Sequence, residues 1–375
     1  MKVYQKSIKD SKEILLTDIE FVPDVIFTFM SPLYVEKEKF LDNLSNQFPS
    51  SIIFGCSTSG EIIGSQVHDK TVALTAVKFE KTKLKLVEIE LDSVSEDSFK
   101  AGRAISAALS ADKLKHIMVL SDGLHINGAE LVKGLHEDLL PNISITGGLA
   151  GDGSDFNTTF LINKNTIKSK TVLGLGFYSE SLKVGFGSKG GWDSFGLERM
   201  VTKSENNVLY ELDGEPALSL YKSFLGEKAK DLPGSGLLFP LSMRDETNQM
   251  PVVRTILAVD EEAQSLTFAG NIDQGSYVRL MKANIDRLIN GAEESAQISQ
   301  SKIGSKAELA FLISCVGRRL VLKQMVEEEV EAVNEVLGEG IYTTGFYSYG
   351  EIAPFNKFTP CALHNQTMTI TTFSE

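Results

Sequence analysis

The chain has 375 residues, of which 42% are hydrophobic and 23% charged, the balance of a folded globular protein rather than a disordered one. Its formal net charge is −13 and it carries no basic run. That argues against binding to nucleic-acid phosphates or to anionic lipid, both of which rely on clustered Lys and Arg. The three cysteines, Cys56, Cys315 and Cys361, are far apart and odd in number, which predicts a reducing compartment and no disulfide framework. Charges interrupt the N-terminal stretch, so no signal peptide is read there. No apolar run is long enough to cross a bilayer. The expectation is a cytoplasmic protein.

In chain order, three stretches repeat one pattern. The first has VIFTFMSPLY (25–34), IIFGCSTSGEI (52–62) and HDKTVALTAVKF (68–79). The second has HIMVLSDGLH (116–125), ISITGGLAGDG (143–153) and KSKTVLGLGFYS (168–179). The third has AFLISCVGRRL (310–320), YTTGFYSYGEI (342–352) and HNQTMTITTF (364–373). Each reads as an apolar strand, a helix, a strand running into a Gly-rich turn, and a further strand. Short apolar strands alternating with helical patterns such as 127–140 and 320–338 imply helix-covered sheets. Residues 71–91 and 171–187 read as hairpins turning at 80–83 and 179–181. The fold class expected is therefore α+β (mixed α/β), with repeated βα-turn-ββ units forming two helix-covered mixed sheets in pseudo-symmetric halves. The spacer 193–308 reads as a helix near 205–226, a strand at 236–243, a hairpin at 254–270 and a helix near 276–299, with room for a degenerate fourth unit.

A glycine precedes a carboxylate in every copy: Gly60-Glu61, Gly151-Asp152 and Gly350-Glu351. Glycine lets a backbone or ligand approach closely, and a carboxylate there either accepts N–H groups of its own turn or meets a ligand. The flanking residues differ: Cys56, Ser57, Thr58 and Ser59 in the first copy, Gly148 and its bare neighbours in the second, Tyr349 and other aromatics in the third. A shared scaffold with divergent side chains suits one asymmetric pocket.

Cys315, Arg318 and Arg319 sit where a strand gives way to a helix, a place where open sheets bind ligands. Arg318 is read as an anion clamp, with pairing to the acidic 327–329 stretch as the alternative, and that alternative is preferred for Arg319. Cys56 and Cys315 are candidate nucleophiles only if a base activates them. His68 and His364 begin equivalent strands. His68 is expected to brace its turn and His364 to face the pocket, behind a longer loop containing Pro354, Phe355, Phe358 and Pro360. GFGSKG (185–190) lacks the βαβ context of a dinucleotide site. Trp192, the only tryptophan, reads as a pocket wall or an anchor.

Several motifs in order resemble the FIST family of bacterial sensory domains: GCSTSGEI (55–62), GGLAGDG (147–153), GGWDSFG (190–196), ELDGEPAL (211–218), ISCVGRR (313–319), GFYSYGEI (345–352) and HNQT (364–367). The resemblance implies an N-terminal FIST domain at 24–215 and a C-terminal one at 216–375. It implies a non-catalytic sensor of a small molecule, an amino acid or another anion, acting on a signalling partner in trans. Some members resemble haem-based nitric oxide sensors that regulate a histidine kinase, which would make His364 the residue to ligate iron. The ligand-contacting set expected is Cys56, Ser57, Thr58, Ser59, Glu61, Gly148, Asp152, Trp192, Cys315, Arg318, Tyr349, Glu351 and His364. A cysteine-dependent enzyme is the rival reading.

Overall fold

The computed structural model describes residues 1–9, 18–140, 142–244, 251–354 and 361–375. Phe355, Phe358 and Pro360 of the expected wall before His364 lie outside them.

The first copy comprises β1 (Lys2–Ile8), β2 (Val25–Met30), α1 (Lys37–Gln47), β3 (Ile52–Ser57), β4 (Glu61–Ile63), β5 (Gln66–His68) and β6 (Val72–Lys78). The second comprises β7 (Lys83–Glu90), α2 (Ser98–Leu109), β8 (Leu114–Ser121), α3 (Gly128–Glu137), β9 (Ser144–Leu149), β10 (Leu161–Asn163), β11 (Thr166–Lys168) and β12 (Thr171–Tyr178). After β13 (Lys183–Lys189) comes the spacer: β14 (Asp193–Glu205), β15 (Val208–Leu212), β16 (Glu215–Pro216), α4 (Ala217–Leu225), β17 (Leu241–Arg244), β18 (Val252–Arg254), β19 (Ile256–Asp260), β20 (Ser265–Phe268) and β21 (Tyr277–Lys282). The third copy follows with α5 (Ile285–Ile303), β22 (Leu309–Cys315), α6 (Val316–Leu322), α7 (Val326–Leu337), β23 (Tyr342–Ser348), β24 (Gly350–Pro354), β25 (Cys361–His364) and β26 (Met368–Ser374).

Among the described residues these strands form three six-stranded sheets and one of eight strands. The six-stranded orders are β1-β6-β2-β3-β10-β11, β7-β12-β8-β9-β24-β25 and β13-β26-β22-β23-β4-β5. One order thus recurs three times. In each, the central pair is parallel and the other pairings are antiparallel. The last two strands of each sheet are a hairpin taken from another copy. The first sheet takes β10–β11 from the second copy, the second takes β24–β25 from the third, and the third takes β4–β5 from the first.

This corrects the two-sheet expectation. The hairpins read at 71–91 and 171–187 are not hairpins. β6 pairs with β1 and β2, whereas β7 pairs with β12 of the next sheet. β13 likewise leaves β12 to pair with β26. The alternating pattern was genuine, but period-2 hydrophobicity shows which face of a strand is buried and not which strand lies beside it. In the spacer, the β19–β20 hairpin is present. The helix expected from 205 begins only at Ala217, after β15 and β16, and the helix expected from 276 is preceded by β21. The eight-stranded sheet does not follow the six-stranded order, so the fourth unit is not formed.

The inner faces of the three sheets share one core. Phe27 meets Phe311 edge-on at 4.6 Å, and Phe177 stacks on Phe373 at 5.1 Å. Aromatic pairs at such spacing add about 0.5–1.5 kcal/mol beyond area burial. Helices cover the outer faces: α1 buries Phe40, Leu41 and Leu44, α2 packs on α3, and α5 packs on α7. GFGSKG lies in β13, where a Cβ on Gly185 would strike the Ser299 carbonyl of α5 at 2.2 Å. Gly185 and Gly187, whose Cβ would strike the Ser295 carbonyl of α5 at 2.2 Å, serve helix–sheet packing.

Candidate ligand-binding site

The carboxyl ends of the parallel strand pairs come together at one end of the molecule. Three equivalent bonds anchor them: the amides of Ser31, Asp122 and Cys315 donate to the carbonyls of Thr71, Thr171 and Thr367 at 3.0, 3.0 and 3.1 Å. The residue before each threonine, Lys70, Lys170 and Gln366, has φ of 58°, 49° and 64°, an unusual left-handed conformation for non-glycine residues.

Glu61 and Glu351 do the same work in their copies. Glu61 accepts the Thr71 amide at 3.1 Å, the Thr71 hydroxyl at 2.8 Å and the Thr58 hydroxyl. Glu351 accepts the Thr367 amide at 3.1 Å, the Thr367 hydroxyl at 2.9 Å and the Ser348 hydroxyl at 2.8 Å. Both are fully buried. Burial pushes their carboxyls up, to about 7 for Glu61 and about 8 for Glu351, against the pull of these hydrogen bonds. They brace strand ends, and neither lines either of the two cavities that follow.

Asp152 is not their counterpart. Glu61 pairs with Phe346 and Glu351 with Gly148, and the residue at that register in the second copy is Leu161, opposite Cys56. The second copy holds an insertion, 150–160, before its hairpin, and Asp152 staples that loop. It accepts the amides of Phe156, Asn157 and Thr158 at 3.0, 2.7 and 2.6 Å, and the Tyr349 hydroxyl. Phe156 stacks on Tyr349 at 4.7 Å. The bracing role passes to Asp122, which accepts the amides of Lys170 at 2.7 Å and Leu124 at 2.8 Å and the Thr159 hydroxyl at 3.0 Å.

The insertion divides two cavities. The first, about 240 Å³, lies between the second and third copies and the eight-stranded sheet. Leu124, Ile126, Leu149, Phe156, Phe268 and Tyr349 give it apolar walls. Its polar lining comes from His125, Asn127, Asn207, Thr255 and Cys315. Asn127 is fixed as the N-cap of α3, accepting the amides of Ala129 and Glu130 at 3.1 and 3.2 Å. His125 Nδ1 lies 3.1 Å from both carboxylate oxygens of Asp122. The Thr255 hydroxyl is buried and has no partner among the described residues. A buried hydroxyl without a partner is costly, and here it belongs to a residue of the cavity wall.

The second cavity, about 220 Å³, is lined by Ser31, Thr58, Ser59, Asp69, Lys70, Asp152 and Arg319, among others. Arg319 donates to Asp69 at 2.7 Å and to the Ser59 carbonyl, and lies over the Tyr347 ring at 5.6 Å. Ser59 Oγ accepts the Gly153 amide at 2.9 Å.

The expected site residues therefore scatter. Cys315 and Tyr349 line the first cavity; Thr58, Ser59 and Asp152 line the second. Arg318 belongs to neither. It is fully buried, donating to Glu329 at 2.7 and 3.1 Å, to the Leu288 carbonyl at 2.8 Å and to the Gly190 carbonyl. Glu329 also accepts the Tyr347 hydroxyl at 2.6 Å. The anion clamp is corrected to a structural ion pair. Arg319, one residue on, is the arginine that reaches a cavity.

Trp192 is an anchor, donating from Nε1 to the Gln366 carbonyl at 3.0 Å. Ser57 accepts the Phe160 amide at 3.1 Å, and a Cβ on Gly148 would strike Ile313 at 2.7 Å. Burial raises the thiols of Cys56 and Cys315 well above the ordinary cysteine range, which disfavours the thiolate a nucleophile needs. His125, Asn127 and Thr255, which the sequence reading passed over, line the first cavity. His125 and Asn127 stand just past a strand end in the second copy, close to the position that Arg318 and Arg319 hold in the third.

His364 lies in the interior, with Nε2 2.9 Å from the Ala353 carbonyl and its pKa lowered by burial to about 4. It lines neither cavity. The arrangement does not suit haem, because His364 is 2% exposed and stands in the wall of neither cavity, so the described residues leave no open space beside its ring for a flat macrocycle. No cluster of three or more His, Cys, Asp or Glu suited to a metal occurs among the described residues, and no described helix is long and apolar enough to cross a membrane.

Comparison with known proteins adds the following. The FIST N domain matches residues 24–215 and the FIST C domain residues 217–354. An uncharacterized protein, MJ1623 of Methanocaldococcus jannaschii, is 25% identical over 352 residues, 84% of this chain and 64% of the relative. The chain thus spans somewhat less than two thirds of that protein's length. A cyanuric acid hydrolase from A. caulinodans is 8% identical, covering 100% of this chain and 98% of the other with a TM-score of 0.36, a likeness too slight to carry an argument.

Proposed function

Because the chain belongs to the FIST family, a sensory family of signal transduction, we propose that it is a non-catalytic sensor of a small molecule that binds in the first cavity and acts on a separate signalling protein, a histidine kinase being one such partner. The observation that carries this reading is the Thr255 hydroxyl, buried without a partner among the described residues in the wall of a cavity that no Lys, Arg, Asp or Glu lines. Three parts of the molecule meet there: the loop after β8, the strand end at Cys315 and the eight-stranded sheet. A ligand touching all three would alter how the sheet sits on the copies, which is the kind of coupling a sensor needs. The family units, 24–215 and 216–375, are proposed as units of inheritance. Their strands interleave, so neither is expected to fold alone. A cytoplasmic location is proposed on the free, buried cysteines.

The raised thiols oppose the cysteine-enzyme reading, and the burial of His364 away from both cavities opposes the haem reading. Native mass spectrometry of the protein purified from cells tests the proposal. The expected result is a co-purified small molecule, lost in a Leu257→Trp variant that fills the cavity mouth. A protein that carries none and binds none from a metabolite mixture would refute it.

A further inference from the structure

We propose that the first cavity takes a small uncharged aromatic molecule bearing one O–H or N–H group. The inference rests on the sensing reading above and goes further in naming the ligand's chemistry. No Lys, Arg, Asp or Glu lines this cavity among the described residues. A charged ligand entering it would lose hydration without gaining a counter-charge, a penalty that apolar walls cannot offset. The neighbouring cavity has Arg319, Lys70, Asp69 and Asp152 on its walls, so the two sites differ in the charge they suit.

The walls favour a flat ring. Phe156 and Tyr349 stand stacked with an interplanar angle of 16°, and Phe268 lines the same space. About 240 Å³ lies just below the usual range for ligand cavities, about 300–1,000 Å³, and so suits one or two fused rings. Two of the polar groups on its walls can orient the ring. The Thr255 hydroxyl has no partner among the described residues and belongs to a residue of the cavity wall, so a turn about its Cα–Cβ bond would bring it to a ligand. In neutral His125, Nδ1–H donates to Asp122, which leaves Nε2 as an acceptor. A ligand O–H or N–H can donate to either of these two groups.

Titration calorimetry of the full chain with indole and with phenol tests this, with L-glutamate and L-arginine as charged controls. Indole or phenol should bind and the controls should not compete. Thr255→Val, which keeps the shape and removes the hydroxyl, should weaken binding about tenfold, the loss of one hydrogen bond. Leu257→Trp, at a partly exposed position on the rim, should abolish it. Failure of both probes overturns the ligand class whatever else binds, and binding of a charged control instead would leave the sensing reading standing. Probe binding that neither variant changes overturns the site.

Discussion

The turns of the first and third copies and the turn of the second reach the same backbone arrangement with different carboxylates. In the first and third, Glu61 and Glu351 reach back from the borrowed hairpins to hold Thr71 and Thr367. In the second, Leu161 occupies that register and Asp122 holds Lys170 from the opposite side, at the end of β8. The exchange leaves the second copy free to carry the 150–160 insertion, and that insertion separates the two cavities. A fold requirement is met in all three copies, whereas the site is built where one copy departs from the others.

The largest effect should come from removing the departing brace. Asp122→Ala leaves the Lys170 and Leu124 amides and the Thr159 hydroxyl without their buried acceptor, and should cost about 3–5 kcal/mol of unfolding free energy. The comparison itself can then be broken or sharpened. The first copy has Ser31 where the second has Asp122. Asp122→Ser with Leu161→Glu should therefore recreate the first copy's arrangement and recover a good part of that loss in denaturant titration. A double variant no more stable than Asp122→Ser alone would show that the turns are not interchangeable.

The two glutamates also predict a pH dependence. Their folded pKa values, about 7 and about 8, lie above the ordinary 4.5. A raised carboxyl binds its proton more tightly when folded. Its stabilising contribution is complete below about pH 4.5 and is lost as pH rises through the folded value. Stability should accordingly fall between about pH 4.5 and 8, by on the order of a few kcal/mol from Glu351, on top of whatever other groups contribute. Glu351→Gln should flatten the upper part of that slope in chemical denaturation run at several pH values. An unchanged slope would mean that Glu351 is ionised throughout.

Much of this was legible in the sequence, for reasons that can be named. The three copies were readable because each keeps an apolar strand, a Gly-rich turn and a Thr-initiated strand, and those patterns fix burial and turn geometry locally. The exchange of hairpins was not readable, since β4 pairs with β23 nearly three hundred residues away and nothing local encodes a partner. Asp152 was misaligned because Gly-Asp and Gly-Glu look alike while the register lies nine residues on, at Leu161. Arg318 and Arg319 are adjacent on a helix and so point to different faces. The sequence named the pair, but only packing against Glu329 decided which one was buried. Thr255 was invisible as a site residue because a threonine in a hairpin usually reads as strand, and its lack of a partner is a property of the assembled sheet.

Smaller effects probe the insertion. Tyr349→Phe keeps the stack on Phe156 and removes the hydroxyl that donates to Asp152 and, at 3.2 Å, to the Gly153 carbonyl. It should cost about 1–2 kcal/mol and speed hydrogen exchange at the amides of 156–158, which Asp152 holds. Exchange that quickens elsewhere and not there would mean that Tyr349 does not secure the loop.

The smallest effect on stability should come from Arg319→Ala. Its partner Asp69 is largely exposed, and exposed pairs contribute about 0–1 kcal/mol. Arg319 nonetheless bridges two copies, running from the third to the Ser59 carbonyl and Asp69 of the first, and it walls the second cavity. If the insertion truly separates the cavities, Arg319→Ala should leave ligand binding in the first cavity within about twofold of wild type while Thr255→Val weakens it, since the residues of the two cavity walls share no direct contact through Arg319 and distant sites act independently. Calorimetry on the two variants side by side decides it. A comparable loss in both would mean that the Asp152–Tyr349 junction transmits between the cavities, and the wall drawn by the second copy's insertion would have to be read as a link.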